Sequence, residues 1–271
     1  MRTLLHVVEY TSRSDVFRFY PSPDIHLGNA ACDEKALAAW VKQIQDDPFA
    51  LWAGIGDYAE FINRKDKRFD EQSLAKWLYG VGDIAKAQRE RVIETLRPIA
   101  DKCVALVKGN HEETIYRYTE RDVYGPIVET MAQGKTEPLG LEYWGFVRLM
   151  FRRMKANCRL PDSWTLDLFL THGWWGGALQ GNGALNLERL GGWVQAQVVL
   201  AGHDHKLKTF AQTQVKPLKN GSVQKVRQVC GSCGAFLDGA RYSEAKGYRP
   251  SPPGYLTVTI EPDKQEVRIS Q

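Results

Sequence analysis

Phe49-Ala50-Leu51-Trp52-Ala53-Gly54-Ile55-Gly56-Asp57 is a short apolar run that closes on a glycine and a carboxylate. Its length suits a strand buried on both faces, since a helix would need ten or so residues and a polar stripe. The same order recurs along the chain. Val104–Val107 leads into Gly109-Asn110-His111-Glu112, Leu166–Leu170 into Thr171-His172-Gly173, and Val198–Ala201 into Gly202-His203-Asp204-His205. An earlier β-rich run, Val16–Tyr20, leads past Pro21 and Pro23 to Asp24-Ile25-His26. Helical segments lie between these runs. Asp33 is placed to cap one that carries Leu37, Trp40, Val41 and Ile44 on one face. Asp83 opens another with Val92, Ile93 and Leu96 apolar, which Pro98 should end or kink. Strands alternating with helices define an α/β class. Ligand-type residues at the carboxyl ends of such strands should converge on one sheet edge.

Further along, Lys206 to Gln271 is strand-rich, with alternation such as Tyr255-Leu256-Thr257-Val258-Thr259-Ile260, and suggests a second, mostly antiparallel sheet packed on the first. Residues 114–163 lie between two motif-bearing strands and are expected to form an inserted or cap segment, helical and then half of a hairpin, with Gly134 a helix stop and Trp144 to Met154 a strand.

Bulk properties narrow the classes. The 271 residues, 43% hydrophobic and 25% charged, suit one domain spanning 1–271 with a sizeable core. A net charge of +4 tolerates an anionic substrate without the strong basic excess of a nucleic-acid binder. No run of eighteen apolar residues is present, so no membrane partner is expected. The opening segment lacks the features of a signal peptide, and the odd number of scattered cysteines, five, fits a reducing cytoplasm. Cys230 and Cys233 form a lone C-x-x-C that reads as a buried strand end, Val229 to Phe236, rather than a zinc or redox site.

Five of the six histidines fall in the short polar motifs. Asp24 and His26, and again His203 and His205, are two apart, so an extended segment turns each pair to one side. Each pair alone is weak evidence. Combined oxygen and imidazole donors at five loci are what a two-metal hydrolytic centre needs. Separations of 33, 53, 62 and 31 residues between Asp24, Asp57, Asn110, His172 and His203 each leave room for a helix and a strand. His6 lies outside every motif and reads as structural.

The set D-x-H, G-D-x-x-[DE], G-N-H-[ED], H and G-H-x-H, matched in order from Asp24 to His205, resembles the calcineurin-like metallophosphoesterase superfamily. The resemblance implies an α/β fold of two packed mixed β-sheets flanked by helices, an αββα sandwich. It also implies two divalent metal ions, with Mn²⁺ the family's first choice and Zn²⁺, Fe, Co²⁺ or Ni²⁺ the alternatives. Carried over by position, one metal takes Asp24, His26, Asp57 and His205, and the other takes Asp57, Asn110, His172 and His203. Asp57 is then the bridge. A metal-bridging hydroxide would attack phosphorus in line, between cations about 3.5–4 Å apart. His111 would assist the leaving group and Glu60 would orient His111, although the family more often has Asp at this place. Glu112 would accept from nearby backbone or a ligand imidazole, and Asp204 would be a spacer.

Phe61 and Ile62 follow Glu60 where phosphoprotein phosphatases of this superfamily carry an arginine, which argues against a protein phosphatase, and the sequence identifies no alternative arginine clamp. Trp174 and Trp175 next to His172 offer a stacking surface for a base or aryl group, or packing on the sheet edge; packing ranks slightly higher. The basic segment Arg148–Arg159 offers phosphate-backbone contacts, or a solvated hairpin face; the latter ranks first. The expected activity is a phosphodiesterase or phosphatase acting on a small-molecule or nucleotide phosphoester. A nuclease ranks second as the alternative and a non-catalytic scaffold last. Nucleic acid is thus a less favoured partner, and the oligomeric state is not legible.

Overall fold

The computed structural model describes residues 2–154, 162–176, 180–240, 247, 249 and 251–271. Two mixed sheets lie face to face. The six-stranded sheet runs β1 (Thr3–Tyr10), β5 (Trp144–Arg153), β6 (Asp162–Thr171), β7 (Val198–Ala201), β9 (Val223–Cys233), β8 (Leu207–Pro217). The five-stranded sheet runs β11 (Glu266–Ser270), β10 (Thr257–Glu261), β2 (Phe17–Pro21), β3 (Ala50–Gly54), β4 (Cys103–Leu106). β2, β3 and β4 are parallel, as are β6, β7 and β9, and all of these but β9 have a motif at their ends.

Three apolar layers explain the stacking. Between the sheets lie Phe19, Leu149, Phe151, Leu168, Leu200, Val258 and Ile260. On the outer face of the five-stranded sheet, α1 (Glu34–Asp46) and α2 (Ile84–Leu96) bury Leu37, Trp40, Ile44, Val92 and Leu96 against Trp52. On the outer face of the other sheet, α5 (Gln180–Trp193) packs Leu187 and Leu190 on Phe169 and Val199. β7 is buried along its whole length because both its faces are covered, which is why Val198–Ala201 reads as an uninterrupted apolar run. The Asp33 side chain accepts from the N–H groups of Lys35 and Ala36 at the start of α1, and Asp83 accepts from Lys86 N–H at the start of α2. After Leu96, the segment containing Pro98 tightens into a 3₁₀ helix, Arg97–Lys102, whose Ile99 carbonyl accepts from Trp52 Nε1 at 2.6 Å.

One sequence expectation needs correction. The strand-rich C-terminal stretch does not form a sheet of its own. β8 and β9 extend the six-stranded sheet, whereas β10 pairs antiparallel with β2 and carries β11 to the edge of the other. Alternation along a strand reports which face is buried, and it carries no information about which strand lies alongside. Within residues 114–163, the end of α3 (Asn110–Thr119) and then α4 (Tyr124–Met131) precede β5, which lies between β1 and β6. Cys230 and Cys233 are buried free thiols on β9.

Candidate metal centre

Each motif residue follows a parallel strand: Asp24 and His26 lie in the loop after β2, Asp57 after β3, His172 after β6, and His203 and His205 after β7, while Asn110 and His111, after β4, open the helix α3 (Asn110–Thr119). Tight backbone turns aim them inward. His26, Asp57, His203 and His205 have φ of 50°, 50°, 72° and 56°, a left-handed region that non-glycine residues rarely occupy. Strain of this kind persists where the surroundings over-determine it, and it clusters at functional sites. The surroundings here are specific. The N–H groups of Ile25 and His26 donate to the Asp57 carbonyl, and His203 N–H donates to Asp24 Oδ2 at 2.8 Å. The first and last motifs are therefore tied together directly.

Among the described residues three groups of ligand-type atoms come together; one is His26, Glu60 and His111, and the other two share Asp57. Asp24, His26, Asp57 and His205 present ligand-type atoms within 4.8 Å of one another, and so do Asp57, His172 and His203. Asp57 belongs to both. Asn110 joins the second set, its Oδ1 lying 2.8 Å from His172 Nε2 and 2.8 Å from His203 Nδ1. The motif resemblance divides the residues of these two groups between two ions, and it implies no ion at His26, Glu60 and His111. His172 donates its Nδ1–H to the Ile55 carbonyl at 3.0 Å, which turns Nε2 toward Asp57 Oδ2 at 3.2 Å.

The titration behaviour follows from packing so many ionisable groups into one buried place. Burial lifts the Asp24 carboxyl well above the ordinary range, with the Asp57 charge adding to it and His172 partly opposing. Burial also works against the Asp57 charge, but the surrounding imidazoles, His172 first, outweigh it and hold that carboxyl well below its usual value. The His172 imidazole, which burial would lower, is carried up to about 10 by the Asp57 carboxylate. His203 is lowered to about 4 by burial and then by His172, and His205 falls well below its ordinary value through burial and His26.

The donor chemistry fits divalent cations. Asp24 Oδ1 is buried and has no hydrogen-bond partner among the described residues, an expensive state for a carboxylate oxygen. His26 Nε2 and His205 Nε2 face one another at 3.1 Å, where a single proton would serve two lone pairs and a cation would satisfy both. Carboxylate, amide and imidazole donors without thiolate suit Mn²⁺, Fe, Co²⁺, Ni²⁺ or Zn²⁺.

Three flanking residues behave differently from the sequence expectation or sharpen it. Glu60 does contact His111, but through its main-chain carbonyl, which accepts from His111 Nδ1. Its carboxylate makes its hydrogen bonds to His26 Nδ1 at 3.1 Å and the Asn29 amide at 3.0 Å, while staying within 4.8 Å of a His111 ring nitrogen. Burial opposes that charge, yet the His26 hydrogen bond leads the forces holding Glu60 at about 2. Asp204 is no mere spacer. It accepts from Lys208 Nζ, Ser232 Oγ and Lys206 N–H, so it pins the turn that presents His203 and His205. Glu112 accepts backbone N–H groups from Asp57, Tyr58 and Gly109 at 3.0, 2.9 and 2.8 Å, as expected, and thereby joins the second and third motifs.

A cavity of about 330 Å³ opens on the centre, with His26, Asp57, Asn110, His111, His203 and His205 in its lining. Arg68, Lys206 and Arg249 also line it, and no sequence motif marks any of the three. A chemical signal was present in Arg64-Lys65-Asp66-Lys67-Arg68, a basic run close behind Glu60. The other substrate candidates lie elsewhere. Trp175 is buried among Phe169, Leu187 and Leu190, and Trp174 stands exposed against it at 5.0 Å between ring centroids; neither lines the cavity. Arg148 is paired with Asp167 at 2.7 Å and Arg153 with Asp263 at 3.2 Å, while Lys155 and Arg159 lie outside the described residues. Gly176 lines the cavity, and Gly177 lies outside the described residues.

The chain matches no known protein-family profile and no curated protein sequence. Solved structures similar to it include the NAD nucleotidase NadN of Haemophilus influenzae, 9% identical with a TM-score of 0.35, over 95% of this chain and 49% of that one. They also include nuclease MPE of Pseudomonas putida, 12% identical with a TM-score of 0.32, over 93% of this chain and 87% of that one. A third is the calcineurin-like phosphoesterase YfkN of Bacillus subtilis, 12% identical with a TM-score of 0.33, over 94% and 88%. The chain thus spans about half the length of the NadN structure. Among the described residues no helix is long and apolar enough to cross a membrane.

Proposed function

We propose that this chain is a phosphoester hydrolase dependent on two divalent metal ions, acting on a small-molecule or nucleotide phosphodiester or phosphomonoester. The observation that carries the reading is the pair of donor sets sharing Asp57 at the floor of one cavity that His111 also lines. Asp24, His26, Asp57 and His205 would hold one ion, and Asp57, Asn110, His172 and His203 the other. Bound divalent ions supply Lewis acidity, lowering the pKa of water and neutralising charge that builds on phosphoryl oxygens.

The chain's own residues supply orientation and protons. His111 is held at both ends: its N–H on the main chain donates to Asp57 Oδ1 at 3.0 Å, and its Nδ1–H donates to the Glu60 carbonyl. That bond fixes the ring and leaves Nε2 to act. Burial alone would favour a neutral ring, but the Asp57 and Glu60 charges outweigh burial and raise the His111 pKa. A protonated Nε2 is suited to donate to a leaving-group oxygen. Glu60 fixes His26 through Nδ1, and Ile55 fixes His172 in the same way, so each ring presents its Nε2 inward.

The test is removal of metal with a chelator, then reconstitution with Mn²⁺, Zn²⁺ or Mg²⁺, reading bound metal and hydrolysis of p-nitrophenyl phosphate and bis(p-nitrophenyl) phosphate. Two ions per chain and metal-restored turnover are expected. A protein that binds no metal and hydrolyses neither ester would overturn the reading.

A further inference from the structure

Arg68 is clamped at the wall of the cavity. Its Nε donates to Asp66 Oδ1 and Oδ2 at 3.2 Å each, and its Nη2 donates to Asp66 Oδ2 at 2.7 Å. Asp66 is itself buried and accepts the Arg68 main-chain N–H at 2.9 Å, so backbone and side chain of the arginine are gripped by one carboxylate. Only one edge of the guanidinium is used in this way. Nη1 makes no hydrogen bond or ion pair among the described residues, and the Arg68 side chain remains 33% exposed while lining the cavity. A planar fork with one edge immobilised offers its remaining N–H donors to a phosphate at little entropic cost.

Its position indicates which phosphate. Arg68 belongs to neither donor set that shares Asp57, yet it lines the same cavity as His111, so it can meet a part of the substrate other than the group that the ions would hold. Four carboxylates share the cavity: Asp57 lies in the centre itself, Glu60 is engaged with His26 and Asn29, Asp204 with Lys208 and Ser232, and Asp70 accepts from Gln72 N–H and Ser73 Oγ. Lys206 and Arg249 add positive charge to the lining, while Ile62, Phe69 and Leu74 give it an apolar stretch able to take the face of a base.

We propose that Arg68, positioned by Asp66, binds a phosphoryl group of the substrate other than the one hydrolysed, so that the preferred substrates are nucleotides carrying at least one further phosphate. This rests on the hydrolase reading for the scissile bond, but the anchor itself is testable without turnover. Binding of thymidine 3′,5′-bisphosphate and thymidine 5′-monophosphate to the metal-free protein would be compared by calorimetry in EDTA. The wild type is expected to favour the bisphosphate by about tenfold or more, the range of a charge-assisted hydrogen bond. Arg68→Ala should erase that preference, and Arg68→Lys should restore only part of it, because a point charge lacks the fork. Asp66→Asn should weaken it. Thermal unfolding of each variant, run alongside, separates loss of the anchor from loss of the fold. A wild type without the preference, or an Arg68→Ala protein that keeps it, would overturn the proposal.

In the Mn²⁺-loaded enzyme, the kcat/KM ratio of TpTp to bis(p-nitrophenyl) phosphate should fall about tenfold in Arg68→Ala. Equal losses on both esters would count against the anchor. An equal fall with a ten-residue oligothymidylate identifies nucleic-acid chains as a source of the second phosphate, and a fall confined to TpTp identifies small nucleotides; either outcome supports the anchor. If no ester is hydrolysed while the bisphosphate preference still depends on Arg68, the hydrolase reading fails and the anchor stands.

Discussion

His172 Nε2 lies 3.2 Å from Asp57 Oδ2, although His172 follows β6 of the six-stranded sheet and Asp57 follows β3 of the five-stranded one. The centre is thus assembled across the seam between the sheets, and it exists only when they are packed. Gly56 makes the approach feasible. Its φ is +101°, and a side chain there would place Cβ 2.7 Å from Gly109 Cα and 2.8 Å from His172 Nδ1.

Gly56→Ala should therefore force two loops and a metal-facing ring apart. A loss of about 1–3 kcal/mol is expected from the backbone conformation alone, together with weaker metal binding. Urea denaturation with and without Mn²⁺ measures both. An unshifted midpoint would show that the loops have slack.

Asp57→Asn removes the one carboxylate common to both donor sets. Metal affinity should drop by more than about a hundredfold, the upper end of what loss of a mere supporting contact costs, and most turnover should vanish. Bound-metal analysis checks this; two retained ions with normal turnover would contradict the shared-ligand role.

His111→Ala leaves both donor sets intact. Esters with poor leaving groups should slow by about 10²–10⁴, the usual value of general-acid assistance, and nitrophenyl esters far less. A plot of rate against leaving-group pKa for wild type and variant reads the difference, and parallel lines would exclude the role.

Asp204→Ala frees the turn that holds His203 and His205 at positive φ by removing the acceptor for Lys208 and Ser232. Metal affinity should fall by about 10–100-fold, as for other residues that orient ligands, with the fold retained. Titration of the apo protein with Mn²⁺ tests this, and an unchanged isotherm would return Asp204 to the status of a spacer.

Glu113 gives a pH signature away from the centre. Hydrogen bonds from Lys108 Nζ at 2.6 Å and Arg117 Nε at 2.9 Å pull its carboxyl from 4.5 down to about 2. A lowered folded-state pKa stabilises the protein above the unfolded value. The stability difference between wild type and Glu113→Gln should thus be full above pH 4.5 and shrink as pH falls toward 2. Denaturation at a series of pH values follows it; a difference that grows on acidification would refute the pairing.

Much of this was legible in the chain. Trp40, Val41 and Ile44 fall on one helical face and are buried there, and Val198–Ala201 is a strand covered on both sides. Glu60 was assigned to the right ring but by the wrong atom: its carbonyl meets His111 while its carboxylate meets His26. That choice depends on a chain reversal between positions 57 and 61, where Asp57 and Phe61 both have positive φ, a detail that periodicity does not encode. Asp66 and Arg68 are not legible in the chain, because a basic run has the same composition whether or not one of its arginines is clamped at a cavity.

The sequence by itself determined the strand-then-ligand order, the caps of α1 and α2, and the donor types in their motifs, because each depends on residues within a few positions of one another. Only the tertiary structure decided which sheet receives β8 to β11, which atom of Glu60 meets His111, and that Arg68 reaches the same cavity. Those outcomes depend on contacts between residues far apart in the chain, and they arise when the apolar faces of the two sheets close on one another and bring the strand ends together.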